Sequence, residues 1–313
     1  MRKDKLLLAV PLLLLAYKGY AQASSPSQLD KLREASQVQQ FVRAQAGAYS
    51  NYKDYKDFVL TDSLDQECRS ELVCATPNDR RSWLKADFDG NGLADLVVTG
   101  YPSSSSLRRR ITCFLDQGNQ KMQEIRLAPR VYDCAVLQLV QLKDKAAIRY
   151  THILEDRRYY EKRPSPVCQI DTLIFDKTQF VEYNHALRDY GIQKVSFSTT
   201  PCYGTCPVFN LHIDQSGAAI YEAIEYNKKI GKFTATIAAT QLQELWMLLN
   251  YLNFPKLNDH YSIGATDHPT SKLTIMYAGG QVKTIEDYGE QGTFGLSRAY
   301  ELLFALRTTQ PWR

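Results

Sequence analysis

The stretch Asp87-Phe88-Asp89-Gly90-Asn91-Gly92-Leu93-Ala94-Asp95 constrains this chain more than any other. Four carboxylate or amide side chains within nine residues favour turns over regular elements, so the backbone must form a tight loop there. The next residues, Leu96-Val97-Val98-Thr99-Gly100, are apolar and β-branched and read as a strand. Oxygen side chains fall at loop positions one, three, five and nine, with glycine at six. A calcium ion takes about six to eight oxygen ligands, and a short loop supplies them by curling round the ion. Asp87, Asp89 and Asn91 are the expected side-chain ligands, Leu93 the carbonyl ligand, and Asp95 the residue that closes the loop. Gly92 permits the sharp turn. The alternative is an Asx-rich turn without an ion. Mutual repulsion of the acidic groups favours one calcium ion as cofactor.

An EF-hand would place a bidentate Glu at loop position twelve and continue into a helix. Val98 stands at that position, and a strand follows. Over residues 87–100 the pattern resembles the Asp-rich loop of FG-GAP, or integrin-alpha-like, repeats. That resemblance implies a calcium loop running straight into a strand. A complete propeller would need such loops at a fixed period, and only one is present.

Residues 1–23 read as a secretory signal peptide. Arg2, Lys3 and Lys5 precede the apolar run Leu6 to Ala16, and Ala21-Gln22-Ala23 is a small-x-small cleavage site. That run is too short to span a bilayer, which takes about 20 residues, and no later run is longer. The expectation is an exported chain, periplasmic or extracellular, with no transmembrane segment. The signal holds four of the 38 Lys/Arg and one of the 34 Asp/Glu, so the remainder carries a net charge of +1. A balance this even gives no reason to expect nucleic acid as partner. The basic cluster Arg108-Arg109-Arg110 after Ser104-Ser105-Ser106 reads as a solvated loop tip. A monomer is expected, with an unidentified envelope or extracellular partner.

The length suggests two domains after the signal. In residues 24–190, Leu29, Leu32, Val38, Phe41 and Val42 follow near-helical spacing and predict a leading, interrupted helix. Strands are expected at 94–99, 110–115, 122–127, 135–142, 146–152, 172–175 and 180–183, with turns at Asp116-Gln117-Gly118-Asn119 and Asp176-Lys177-Thr178. Residues 191–313 show a meander of strands at 193–199, 208–213, 219–226 and 232–237. Thr240-x-x-Gln243 reads as a capping box opening a helix with Leu242, Leu245, Trp246, Leu249 and Leu252 on one face. Strands at 272–277 and 281–285 flank Ala278-Gly279-Gly280, and a last helix presents Leu296, Ala299, Tyr300, Leu303 and Leu306. The fold class is α+β: a mostly antiparallel β domain with a leading helix, then an antiparallel sheet with two helices on one face.

From about Gly191 to Thr309 the chain resembles a bacterial family known as a domain of unknown function, DUF6438. The residues that carry this are Cys202-Tyr203-Gly204-Thr205-Cys206-Pro207-Val208-Phe209, Gly217 with Tyr221, and Thr266-Asp267-His268-Pro269-Thr270. The resemblance implies an exported protein and no particular reaction.

Seven cysteines in an exported chain predict disulfides and one leftover thiol. Cys202 and Cys206 can bridge because Gly204 lets the chain fold back. Cys68 and Cys74 are the next local pair, and Cys113, Cys134 and Cys168 compete for one further bond. A redox role for Cys202 and Cys206 is the alternative to a staple. Reactive dithiols usually sit two residues apart at a helix N-terminus, whereas here the spacing is three and a strand follows. Asp259, His260, Asp267 and His268 lie close enough in sequence for a metal or acid–base site, although Asp- and Gly-rich segments are also what turns contain. No G-x-S-x-G, H-E-x-x-H or P-loop occurs, and no catalytic residue is assigned. Two function classes follow: a non-catalytic exported module, or a thiol–disulfide or small-molecule enzyme centred on Cys202 and Cys206.

Overall fold

The computed structural model describes residues 27–45, 55–61, 72, 81–103, 110–127, 135–154 and 167–313. The signal peptide, the Ser104–Arg109 tip, Cys134 and the Cys68–Cys74 pair lie outside them. The architecture is α+β in two domains, three β-sheets with helices segregated on them.

The leading helix is interrupted, as its spacing suggested. A 3-10 turn at Leu29–Lys31 precedes α1 (Ala35–Ala44). Gln37 opens α1 by accepting from the Arg33 and Glu34 N–H groups at 2.8 and 3.2 Å. The first sheet contains β1 (Phe58–Leu60), β2 (Trp83–Ala86), β3 (Asp95–Pro102), β4 (Arg110–Asp116) and β5 (Met122–Arg126). β1 and β2 share one edge of β3, and β4 and β5 follow on the other. Strands β1 and β2 were not expected. At three and four residues they are too short to show alternation, and their pairing to β3 is what makes them strands.

The second sheet is a meander of β6 (Ala135–Leu142), β7 (Lys145–Leu154), β8 (Val167–Asp176) and β9 (Gln179–Glu182). The first sheet lies between α1 and this one. Leu96, Val98 and Phe114 pack on Val38, Phe41 and Val42. Val97, Ile111 and Leu115, on the opposite face, pack with Leu137, Ile148 and Phe175. β3 is therefore buried on both faces, which explains an unbroken apolar run in an antiparallel sheet.

The third sheet has the order β13-β12-β11-β10-β15-β16-β14. Its meander is β10 (Lys194–Thr199), β11 (Val208–Asp214), β12 (Ala218–Glu225) and β13 (Gly231–Thr236), and β15 (Thr270–Tyr277) pairs with β16 (Gln281–Tyr288). Helices α2 (Ala239–Tyr251) and α3 (Phe294–Thr309) cover one face. All five predicted α3 residues are buried there, and Phe197 stacks on Tyr300 at 5.4 Å.

Two expectations for this sheet need correction. It is not wholly antiparallel: β14 (His260–Ser262), in the segment read as a turn, pairs parallel with β16. Burial of Tyr261 in the core anchors this short edge strand. The Thr240/Gln243 capping box does not form. α2 opens two residues earlier, with Ala238 at its N-cap and no side-chain cap. Ile237, buried and bonded to the Gly217 carbonyl at 2.8 Å, fixes where the chain turns into the helix.

Candidate metal centre

The Asp87–Asp95 loop joins β2 to β3, so strand follows loop as the sequence indicated. Carboxylate oxygens of Asp87, Asp89 and Asp95 lie within 4.8 Å of one another. Gly90 and Gly92 have φ of 77° and 86°, and this left-handed backbone turns successive N–H groups inward. Asp87 accepts from Gly90, Asn91 and Gly92 at 2.7, 3.1 and 2.9 Å. Asn91 sits among the acids: its amide donates to Asp89 at 3.1 Å, and its Oδ1 accepts from the Leu93 N–H at 2.7 Å.

Asp95, the first residue of β3, has no exposed surface. Its two oxygens accept from the Phe88 and Asp116 N–H groups at 2.8 and 2.9 Å. Burial, the largest influence, raises its pKa to about 7; the Asp89 charge pushes the same way and the two N–H donors oppose it. Among the described residues no Lys or Arg pairs with Asp87, Asp89 or Asp95.

The loop is stitched to the β4–β5 turn. Asn91 donates to the Asp116 carbonyl at 2.7 Å, and Gln117 donates to Asp89 at 3.0 Å. The Asp116 carboxylate in turn accepts from Ser27 Oγ and from the Gly118 N–H. The N-terminal segment, the Asp-rich loop and the turn thus meet through polar groups. Hard carboxylate oxygens without nitrogen or sulfur donors suit calcium or magnesium better than zinc. The residues present fit such an ion, because a wholly buried carboxylate without a counter-charge is costly.

The Cys202–Cys206 disulfide spans the loop between β10 and β11, with Cα atoms 5.7 Å apart. A strand, not a helix, follows it. The loop rests on the 266–270 segment: Tyr203 N–H donates to the Asp267 carbonyl at 3.0 Å, and Thr270 N–H to Thr200 Oγ1 at 2.8 Å. Cys168 is also disulfide-bonded, while Cys113 is a buried free thiol. Burial, seconded by Asp95 and Asp89, pushes the Cys113 pKa well up.

Asp259, His260, Asp267 and His268 do not form one site. Asp259 pairs with Lys283, His260 lies 3.8 Å from Glu286, and His268 meets the Tyr288 ring edge-on. Sequence reasoning missed His152 and Asp171, which bond at 2.8 Å. Alternate positions on β7 and β8 place Tyr150 opposite Asp171 and His152 opposite Gln169. Gln169 also bonds Asp171, so the histidine is held in a polar pair at the end of the core. The only available signal was the alternation of these residues in two separate strands.

Residues 193–307 match the model of the family described as a domain of unknown function, DUF6438. The bounds agree closely with the stretch that the Cys202–Phe209 and Thr266–Thr270 motifs suggested. No curated protein and no solved structure matches the chain.

Proposed function

We propose that this protein is an exported, non-catalytic module with two different stabilising devices. Calcium held by Asp87, Asp89 and Asp95 fixes the first domain, and the Cys202–Cys206 bridge staples a C-terminal binding or structural domain. The observation that carries the calcium reading is the convergence of three carboxylates within 4.8 Å, one of them wholly buried, with no basic partner among the described residues. A divalent cation supplies the missing positive charge and favours ionised Asp95. Its location also supports the reading: the ion would join the loop to the β4–β5 turn through Asp89 and Asn91. Asn91 and the Leu93 carbonyl complete the proposed set. Among the described residues no helix is long and apolar enough to cross a membrane.

Melting in calcium against melting in chelator tests the metal. An ion that binds only the folded chain adds about 2.7 kcal/mol at a hundredfold excess over its dissociation constant. The midpoint should rise with calcium in the wild type and hardly move in Asp89→Ala. Equal midpoints with and without calcium in the wild type would sink the site.

A further inference from the structure

A cleft of about 590 Å³ opens between the β8–β9 turn, the segment 187–189 and helices α2 and α3. This volume is that of a small-molecule site, and seams between packed units are where such sites concentrate. Ile174, Leu248, Tyr251 and Leu302 supply apolar lining. Leu187 and Met247 line it too, yet remain 69% and 58% exposed, large apolar side chains left facing water.

The charged lining separates into committed and uncommitted groups. Arg298 is paired with Glu244 and Glu301, each at 3.1 Å. Asp189 accepts from the Gly191 N–H and the Asn250 amide. Asn250 also accepts from the Tyr190 N–H, and the Tyr251 hydroxyl accepts from the Asn184 N–H. Lys145, Lys177 and Arg188 remain as exposed cations with no ion-pair partner among the described residues, against two acids without a cationic partner, Asp176 and Asp189. An apolar lining beside an excess of free cations is complementary to a molecule with a hydrocarbon body and an anionic head.

We propose that this cleft binds a small anionic amphiphile, a carboxylate on a hydrocarbon tail. The apolar residues take the tail, and Lys177 and Arg188 hold the head at the mouth. The site shares no residue with the Asp87–Asp95 centre and stands independently of whether that centre takes calcium.

The test is a titration of the full chain with decanoate below its micelle concentration, read by calorimetry and by amide and methyl NMR shifts. Butyrate and decyltrimethylammonium serve as probes lacking the tail and the negative head. Saturable one-site decanoate binding, with shifts at Met247, Leu248 and Leu187, is expected. Both control probes should bind at least about tenfold more weakly, as should decanoate to Lys177→Glu/Arg188→Glu and to Met247→Asp. These side chains are exposed, and an unchanged melting midpoint confirms that each variant folds. Absence of saturable decanoate binding overturns the proposal. So does equal binding of the cationic probe, full affinity in the double variant, or shifts confined to residues outside the cleft.

Discussion

Glu182 ends β9, yet it caps a helix more than a hundred residues away. Its two oxygens accept the Phe294 and Gly295 N–H groups at 2.6 and 2.9 Å, in the first turn of α3. Thr293 Oγ1 takes the Leu296 N–H at 3.1 Å. Glu182→Ala leaves two of these three donors without a protein acceptor. A hydrogen bond to a charged group contributes about 1.5–3 kcal/mol, and a carboxylate at a helix N-terminus adds a few tenths to about 1 kcal/mol. Against this stands burial, the first cause of the raised Glu182 pKa, which outweighs the lowering by Gly295 and Phe294. At neutral pH the net loss for Glu182→Ala should therefore be about 2 kcal/mol, less than the roughly 3 kcal/mol that two such bonds give at their weakest, because burial works against the charge.

The raised pKa fixes the sign of the pH dependence. The folded chain holds this proton more tightly than the unfolded chain. The corresponding stability is full below the unfolded value, about 4.3, and is lost as pH rises through the folded value. Glu182→Gln keeps one acceptor and does not titrate, so wild type should exceed it most in acid, the gap narrowing as pH rises. Urea unfolding at pH 5 and pH 8 measures this through Trp246 and Trp312, which pack on the C-terminal core. Exposed Glu225→Ala is the control. A Glu182→Ala loss no larger than the control's, or a wild-type-to-Gln gap that widens with pH, would refute the reasoning.

Residues 191–313 alone should give a folded monomer with dispersed amide resonances, and the Phe294 and Gly295 amides should exchange fastest within α3 because Glu182 is gone; a molten spectrum refutes this. Cys202→Ser with Cys206→Ser should cost about 2 kcal/mol, the value for closing so small a ring, and should leave the proposed calcium response of the first domain unchanged; an unaltered unfolding midpoint would count against the staple. Gly100→Ala should cost about 1–3 kcal/mol by overpacking, because a Cβ there would come within 2.3 Å of the Phe58 ring and the Val59 carbonyl. Chemical denaturation reads that loss, and a neutral result would mean that β1 is not held against β3.

Local pattern made much of the fold legible. In β10, Val195 and Phe197 face the core while Ser196 and Ser198 do not, and that alternation is written directly in the sequence. The α3 stripe was equally plain. Features set by distant partners were not. Lys85 donates to the carbonyls of Leu29 and Leu32, closing the first 3-10 turn from more than fifty residues away. β14 has only three residues, and its parallel pairing depends on where β16 already lies. The start of α2 follows Ile237 and Gly217, so a locally sound capping box lost to a tertiary anchor.

The candidate centre divides in the same way, and the division bears on its chemistry. Spacing alone identifies Asp87, Asp89 and Asn91, because a turn that reuses its own N–H groups is a local object. Three N–H groups on Asp87 satisfy that carboxylate without any ion, so its geometry alone is compatible with a plain Asx turn. Asp95 is different. It is buried because Leu96, Val97 and Val98 carry β3 into a layer covered on both sides, and because β4 brings the Asp116 N–H against it. Two neutral donors do not offset its desolvation, which is why its pKa moves up toward neutrality rather than down. The two N–H groups rest on separate oxygens, so an amide at this place, with one acceptor, would leave one of them unmet. The cation proposed for this loop would make a buried negative charge favourable there, and Asp89, the neighbour whose charge bears on Asp95, lies on the same loop.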